Sequence, residues 1–292
     1  MVPTFVQAGH KLKDIWIKQI DNNKEEKITI TESIPKITLD VIGLVGFNYE
    51  FNSITSESEL AHAYKLLVNY NRSPLYMVLV NLFPFIRKLP TSYNVKYFNS
   101  LKTINDVSEK LVTDQKNSPV RGTDLLSLLI KSNDNLPVDE QLTHSELISQ
   151  VMTFLISGHE TNSITLSWAL YFLAKNPDTQ DRLRKELSDV LTDRDYYPTV
   201  DEIEQLKYLD CVSKETLRVT PPVSGLLRCT SKDEIMNGYL IPKQTRLWIP
   251  IYAIHHDPLI WGDDADDFNP ARWLDPETKS KIASTNFLPF GA

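Results

Sequence analysis

Residues Leu147–Ala174 read LISQVMTFLISGHETNSITLSWALYFLA, 28 residues without proline, or about 42 Å of chain if helical. Between Pro137 and Pro177 the sole helix breaker is Gly158, and Thr143 followed three residues later by Glu146 makes a capping-box start. Leu147, Ile148, Val151, Met152, Phe154, Leu155 and Ile156 precede a polar interruption, and Ile164, Leu166, Trp168, Leu170, Phe172 and Leu173 follow it. These apolar residues surround the helix, a pattern that predicts burial on all sides. The interruption is Ser157-Gly158-His159-Glu160-Thr161-Asn162-Ser163. A buried carboxylate costs several kcal/mol unless it is paired or given a polar cavity, and a mid-helix glycine costs roughly 1 kcal/mol relative to alanine. Either Glu160 pairs with a cation on a neighbouring helix while Gly158 permits close packing, or the gap has a chemical use.

On the C-terminal side, Pro177 stops this helix and Thr179–Leu191 has the spacing of an amphipathic surface helix. A further helix, Tyr208–Val219, ends at Pro221-Pro222 and carries Glu215 and Arg218 three residues apart, on one face. From Val223 the period changes. Glu234–Ile251 is rich in β-branched and aromatic residues around Asn237-Gly238, a hairpin signal. His255–Ala292 has little regular period and reads as ordered coil, with His255 and His256 in it. On the N-terminal side, Phe5–Ile20 and Lys96–Gln115 have helical spacing, and Asn22–Lys27 is a polar loop. Ile37–Phe47 is an apolar run whose surroundings favour helix. The fold class is mainly α with a minor β-sheet part.

Composition narrows the function. Nine glycines in 292 residues is about 3%, against an average near 7%, and no dinucleotide fingerprint or phosphate-binding loop occurs. The net charge of −7, without a Lys/Arg-rich cluster, argues against a nucleic-acid partner. Two cysteines, Cys211 and Cys229, make neither a disulfide framework nor a zinc site and point to a reducing compartment. Both read as small buried apolar residues. No signal or transmembrane segment is visible: Ser73–Ile86, the longest uncharged run near the front, is too short to span a bilayer.

Taken in order, the motifs resemble the cytochrome P-450 family of haem-thiolate monooxygenases. Ser157-Gly158-His159-Glu160-Thr161 is similar to the [AG]-G-x-[DE]-T of that family's long central helix. Glu215-Thr216-Leu217-Arg218 is similar to its E-x-x-R, and Phe268-Asn269-Pro270-Ala271-Arg272-Trp273 to the segment with its P-x-R. Phe287-Leu288-Pro289-Phe290-Gly291 resembles the approach to the haem-binding loop.

The resemblance implies a haem-dependent monooxygenase that inserts one oxygen atom of O2 into a small lipophilic substrate, with electrons from an NADPH-dependent flavoprotein reductase. It implies that Glu160 and Thr161 deliver protons to bound dioxygen and that Gly158, Arg228 and Phe290 contact haem, Arg228 through a propionate. Glu215, Arg218 and Arg272 would form a buried structural network, and Phe154, Val223, Leu226 and Leu227 would line the substrate pocket. The full-length protein would sit on the cytosolic face of the endoplasmic reticulum membrane.

The family's iron-ligating cysteine falls seven positions after Phe290, beyond Ala292, so no residue here is a metal ligand. On this resemblance residues 1–292 form one partial domain, lacking an N-terminal anchor and the haem-cysteine loop. The competing reading is a truncated, non-catalytic product unable to ligate haem iron, at most a binding or interaction protein.

Overall fold

In the computed structural model of the protein, every residue is described except 24–26, 57, 69–73, 119–121, 192, 194–195, 277–281, 283–284 and 292. The centre of the polar loop expected at Asn22–Lys27 therefore lies outside the described residues. The fold is mostly helical with small antiparallel sheets, as expected. Two compact units appear, the first of residues 1 and 3–160, the second of residues 2 and 161–292.

In the first unit, α1 (Val2–Asn23) is followed by α2 (Ile30–Phe47), so the apolar run at Ile37–Phe47 is helix. Asn48 ends α2 with a left-handed φ of 49°, a conformation asparagine tolerates, and its N–H returns to the last turn. The buried carboxylate of Asp40 fixes the next loop by accepting from Ser53 N at 2.6 Å and Ile54 N at 3.3 Å. Helix α3 (Glu59–Val68) comes next, and α4 (Pro74–Leu82) stops ahead of Pro84, which opens a 3-10 turn at Pro84–Lys88. Thr91 caps α5 (Ser92–Asn117) and Asp124 caps α6 (Leu125–Asp134), each through a side-chain oxygen. Leu39, Tyr64, Ile104, Leu126, Leu147 and Leu155 anchor the core of this unit.

Helix α7 (His144–Lys175) contains the quoted stretch. Its start is reciprocal: Thr143 N donates to Glu146 Oε2 at 2.8 Å, and Glu146 N donates to Thr143 Oγ1 at 3.3 Å. Burial along it follows Leu147, Val151, Leu155, His159 and Ser163, a spacing of four that marks one stripe. The expectation of a helix buried all round fails, since Ile156, Leu166, Trp168, Leu170 and Tyr171 are exposed.

In the second unit, Pro177 at the first turn starts α8 (Pro177–Val190), and α9 (Val200–Gln205) opens on a capping box at Thr199. Helix α10 (Lys207–Val219) follows; Glu186 of α8 holds its start by accepting from Tyr208 N and Leu209 N at 2.7 and 3.0 Å. Strand β1 (Leu226–Cys229) pairs antiparallel not with its neighbours in sequence but with β4 (Arg246–Ile249), Leu227 facing Trp248. Strands β2 (Glu234–Met236) and β3 (Tyr239–Ile241) form the hairpin, its turn made by Asn237 and Gly238 at φ 49° and 82°. The single β run read at Glu234–Ile251 is thus divided between two sheets.

Helices α11 (Ile251–His255) and α12 (Pro258–Trp261) precede a 3-10 turn at Pro270–Trp273. His255 accordingly ends a helix and is not coil. Asp257 and Asn269 start the last two elements by accepting from Leu259 N and Ala271 N. The core of this unit joins Leu183, Tyr208, Cys211, Val212, Trp261 and Trp273.

Candidate functional site

The Glu215 carboxylate is fully buried and collects five hydrogen bonds. Oε1 accepts from Arg218 Nη2, Arg272 Nε and Asn269 N, each at 2.9 Å. Oε2 accepts from Arg218 Nε at 2.9 Å and Trp273 Nε1 at 2.8 Å. Spacing along α10 puts Arg218 on the same face, and the fork of its guanidinium meets both carboxylate oxygens. The remaining Arg218 donors go to backbone: Nη1 to His255 O at 2.8 Å and Ala265 O at 2.5 Å, Nη2 to Asp267 O at 2.8 Å.

Arg272 extends the network to Asp264, bonding Oδ2 through Nη2 at 2.9 Å and Oδ1 through Nη1 at 3.2 Å. Burial disfavours charge on Arg272, but the Glu215 and Asp264 carboxylates outweigh it and raise the guanidinium above its ordinary range. Burial likewise pushes Asp264 up, and hydrogen bonds from Asn269 and Arg272 outweigh it, holding the carboxyl below the usual range. The structure therefore brings Glu215, Arg218 and Arg272 together, adding Trp273, Asn269 and Asp264. Sequence reasoning missed those three, although Trp273 and Asn269 flank Arg272 within the motif itself.

On α7, a Cβ added at Gly158 would lie 2.7 Å from Ile42 Cδ1 and 2.9 Å from its Cγ1, so α2 fills the space the missing side chain leaves. His159 is buried against Tyr64 of α3, ring centroids 5.2 Å apart. Burial holds its imidazole down to about 4, opposed in part by the Pro35 backbone. Neither ring nitrogen has a well-formed hydrogen bond, nor does the buried Tyr64 hydroxyl. Glu160 is half-buried, and burial raises its carboxyl above the usual range. Among the described residues it makes no ion pair or side-chain hydrogen bond, so no cation on a neighbouring helix is seen beside it. Thr161 follows on the next step of the helix, and its carbonyl accepts from Thr165 Oγ1 at 2.9 Å.

Alternation along β1 places Leu226 and Arg228 on one face, Leu227 and Cys229 on the other. Arg228 is exposed; its Nη1 donates to Leu227 O at 3.1 Å, and it makes no ion pair among the described residues. A Cβ on Gly291, which has a φ of 82°, would lie 3.1 Å from Leu226 Cδ1, so the Phe290-Gly291 turn abuts that face. Phe290 is 90% exposed.

The expected pocket residues are divided between the two units, and within the second unit Leu226 and Leu227 lie on opposite faces of β1. Leu227 is 72% exposed on the face away from Leu226, Val223 is exposed within the loop between α10 and β1, and Phe154 packs on the core of the first unit. Cavities of about 380 and 390 Å3, at Arg182–Tyr208 and at Tyr76–Phe98, are lined by none of the four. Cys211 is buried, but Cys229 is exposed, because its strand turns it outward; the expectation of two buried cysteines is corrected to one.

A family model for cytochrome P450 matches residues 1–292. The chain belongs to the cytochrome P450 family. Cytochrome P450 monooxygenase 128 of Postia placenta is 33% identical over 306 residues, covering 92% of this chain and 55% of that protein. Cytokinin hydroxylase of Arabidopsis thaliana is 34% identical over 274 residues, covering 91% and 51%. The bifunctional cytochrome P450/NADPH–P450 reductase 2 of Bacillus subtilis is 32% identical over 302 residues, covering all of this chain and 28% of its own length. The chain spans about half the length of the first curated P450 relatives it matches.

The P450 family implies haem, and residues of the second unit fit part of that group. Leu226 and the Phe290-Gly291 turn offer apolar surface, and Arg228 on the same strand face has donors left for a carboxylate. The donor set for iron does not fit either cysteine. Cys211 is inside the α10 core, and Cys229 is on the face opposite Arg228.

Proposed function

We propose that the chain is part of a haem-dependent monooxygenase that inserts one oxygen atom of O2 into a small lipophilic substrate, both compact units belonging to one P450 domain. The observation that carries this reading is Glu160, a half-buried carboxyl without a partner among the described residues, raised by burial and preceding Thr161 on α7. Haem held through a cysteine thiolate supplies the redox chemistry that activates O2. Glu160 holds a proton closer to neutral pH than an ordinary carboxylate and exchanges it with solvent through its exposed edge. The Thr161 hydroxyl both accepts and donates, so it passes that proton inward. Arg228 binds a haem propionate, and Leu226 and Phe290 cover the macrocycle's apolar surface. Gly158 serves the packing of α2 on α7 in this scheme.

Electrons come from an NADPH-dependent flavoprotein reductase; the Bacillus subtilis relative, named as a fusion of the two, supports the pairing. An endoplasmic-reticulum location on the cytosolic face goes with such a partner. No helix among the described residues is long and apolar enough to cross a membrane.

The test is oxygen coupling in a haem-loaded, full-length form. Thr161→Ala and Glu160→Gln should consume O2 without matching product, and Thr161→Ser should recover coupling; unchanged coupling in both counts against proton delivery.

The placement of the two cysteines favours a second reading for the 292-residue polypeptide itself, a protein without thiolate-ligated haem. Reduced and exposed to carbon monoxide, it should lack the thiolate-type Soret shift. Appearance of that shift would eliminate this second reading.

A further inference from the structure

His255 ends α11, fully buried, and both its ring nitrogens are engaged. Nδ1 lies 3.1 Å from the carbonyl oxygen of Arg218, and Nε2 accepts from Leu288 N at 2.9 Å. A carbonyl can only accept and a backbone N–H can only donate, so these partners require a neutral ring with its proton on Nδ1. The His255 carbonyl in turn accepts from Arg218 Nη1, so the two residues bracket each other through side chain and backbone. The ring stacks on Phe287 with centroids 5.5 Å apart, and Phe287 packs on Trp273 at 4.8 Å.

We infer that His255 is a positioning residue that latches the Phe287–Gly291 segment to the Glu215–Arg218–Arg272 network in a single fixed tautomer. Among the described residues Glu215, Arg218 and Arg272 make no hydrogen bond to that segment; His255 supplies one, through Leu288 N. Its functional meaning rests on reading Phe287–Gly291 as the approach to the haem-binding loop, whereas the latch exists with or without haem. The charged and titratable groups that act on the ring are Arg218 from α10 and the adjacent His256. Burial, helped by the neighbouring Arg218 guanidinium, holds the imidazole down to about 4 against the opposing Arg218 backbone bond. A second ring proton would set N–H against the N–H of Leu288.

The experiment uses the 292-residue chain at pH 7 without haem. Imidazole 15N spectra should show His255 bare at Nε2 and protonated at Nδ1; the other tautomer, or rapid exchange between the two, overturns the latch. His255→Phe keeps the aromatic stack and removes both polar bonds, and the Leu288 amide should then exchange with solvent roughly fivefold faster or more, the loss of one net hydrogen bond. His255→Gln, whose amide can donate and accept at once, should recover part of that protection. Equal exchange in wild type and His255→Phe, or no recovery with His255→Gln, reduces His255 to a packing residue. If His255→Phe fails to fold, the 15N spectra of the wild type decide. Haem uptake is measured separately: a latch confirmed by exchange, with haem uptake unaffected by its loss, would count against the haem-loop reading while leaving the latch standing.

Discussion

Glu215 Oε1 and Arg272 Nε stand 2.9 Å apart although 57 residues separate them in sequence. Around that contact Arg218 is wholly enclosed and Arg272 nearly so, so the two guanidinium groups are neutralised by Glu215 and Asp264 in place of water. Removing one partner of such a pair leaves a buried charge without compensation, a loss of about 3–5 kcal/mol. Arg218→Ala should therefore lower unfolding free energy by about that amount in urea titrations. A change under 1 kcal/mol would place the pair among ordinary surface contacts.

Arg272→Lys tests geometry at constant charge. Arg272 meets Glu215 through Nε and Asp264 through Nη1 and Nη2, a spread that one ammonium cannot reproduce. The substitution should cost about 1–3 kcal/mol, the range for a buried polar group left without its hydrogen bond. Equal stability of the lysine variant would show that charge alone matters at this position.

Acid should destabilise the chain before its carboxylates titrate. His159 and His255 are both held down to about 4, so each stays neutral when folded and takes up its proton more readily when unfolded. Their stabilising contribution is complete above about 6.5, the unfolded value, and is lost as pH falls through about 4. Each accounts for roughly 3 kcal/mol of the fall across that window. Glu160, raised by burial, has the opposite sign, and Asp264, lowered, acts only below the window. Unfolding free energies between pH 7 and pH 4 should fall steeply, and a flat profile there would contradict the buried neutral histidines.

His159→Phe separates one of those two contributions. Phenylalanine can keep the tilted ring contact with Tyr64 and removes two ring nitrogens that lack well-formed partners in the core. Stability at pH 7 should rise by about 1–3 kcal/mol, with a shallower fall toward pH 4. A less stable variant would mean that the imidazole's polar atoms are satisfied by groups such as the Pro35 carbonyl.

Much of this was legible in the chain because the signals are local. The Thr143–Glu146 box starts α7, and Asn237-Gly238 turns the hairpin, each through interactions of its own immediate neighbours. The spacing of Glu215 and Arg218 needs one turn of helix. The partners that complete the network are set by tertiary placement: Trp273 Nε1 reaches Glu215 from 58 residues away. The same holds for the β1–β4 pairing, which leaves Cys229 facing outward, and for His255, whose role appears only when Arg218 O and Leu288 N are found on either side of it. An all-round apolar α7 misled because composition does not say which stripe is covered.

Gly158 tests that last point, since two physical effects of opposite sign meet there. Alanine is the better helix former by roughly 1 kcal/mol, but its Cβ would come within 2.7 Å of Ile42 Cδ1. Overpacking of that kind costs typically about 1–3 kcal/mol, so Gly158→Ala should be net destabilising. Ile42→Ala alone opens a space and should also destabilise. In the double variant the new methyl occupies part of the space the isoleucine vacates, so its loss should be smaller than the sum of the two single losses by about 1 kcal/mol or more, as expected of residues in contact. A double-mutant cycle in urea measures the difference; strict additivity would show that the glycine is kept for something other than the fit of α2 against α7.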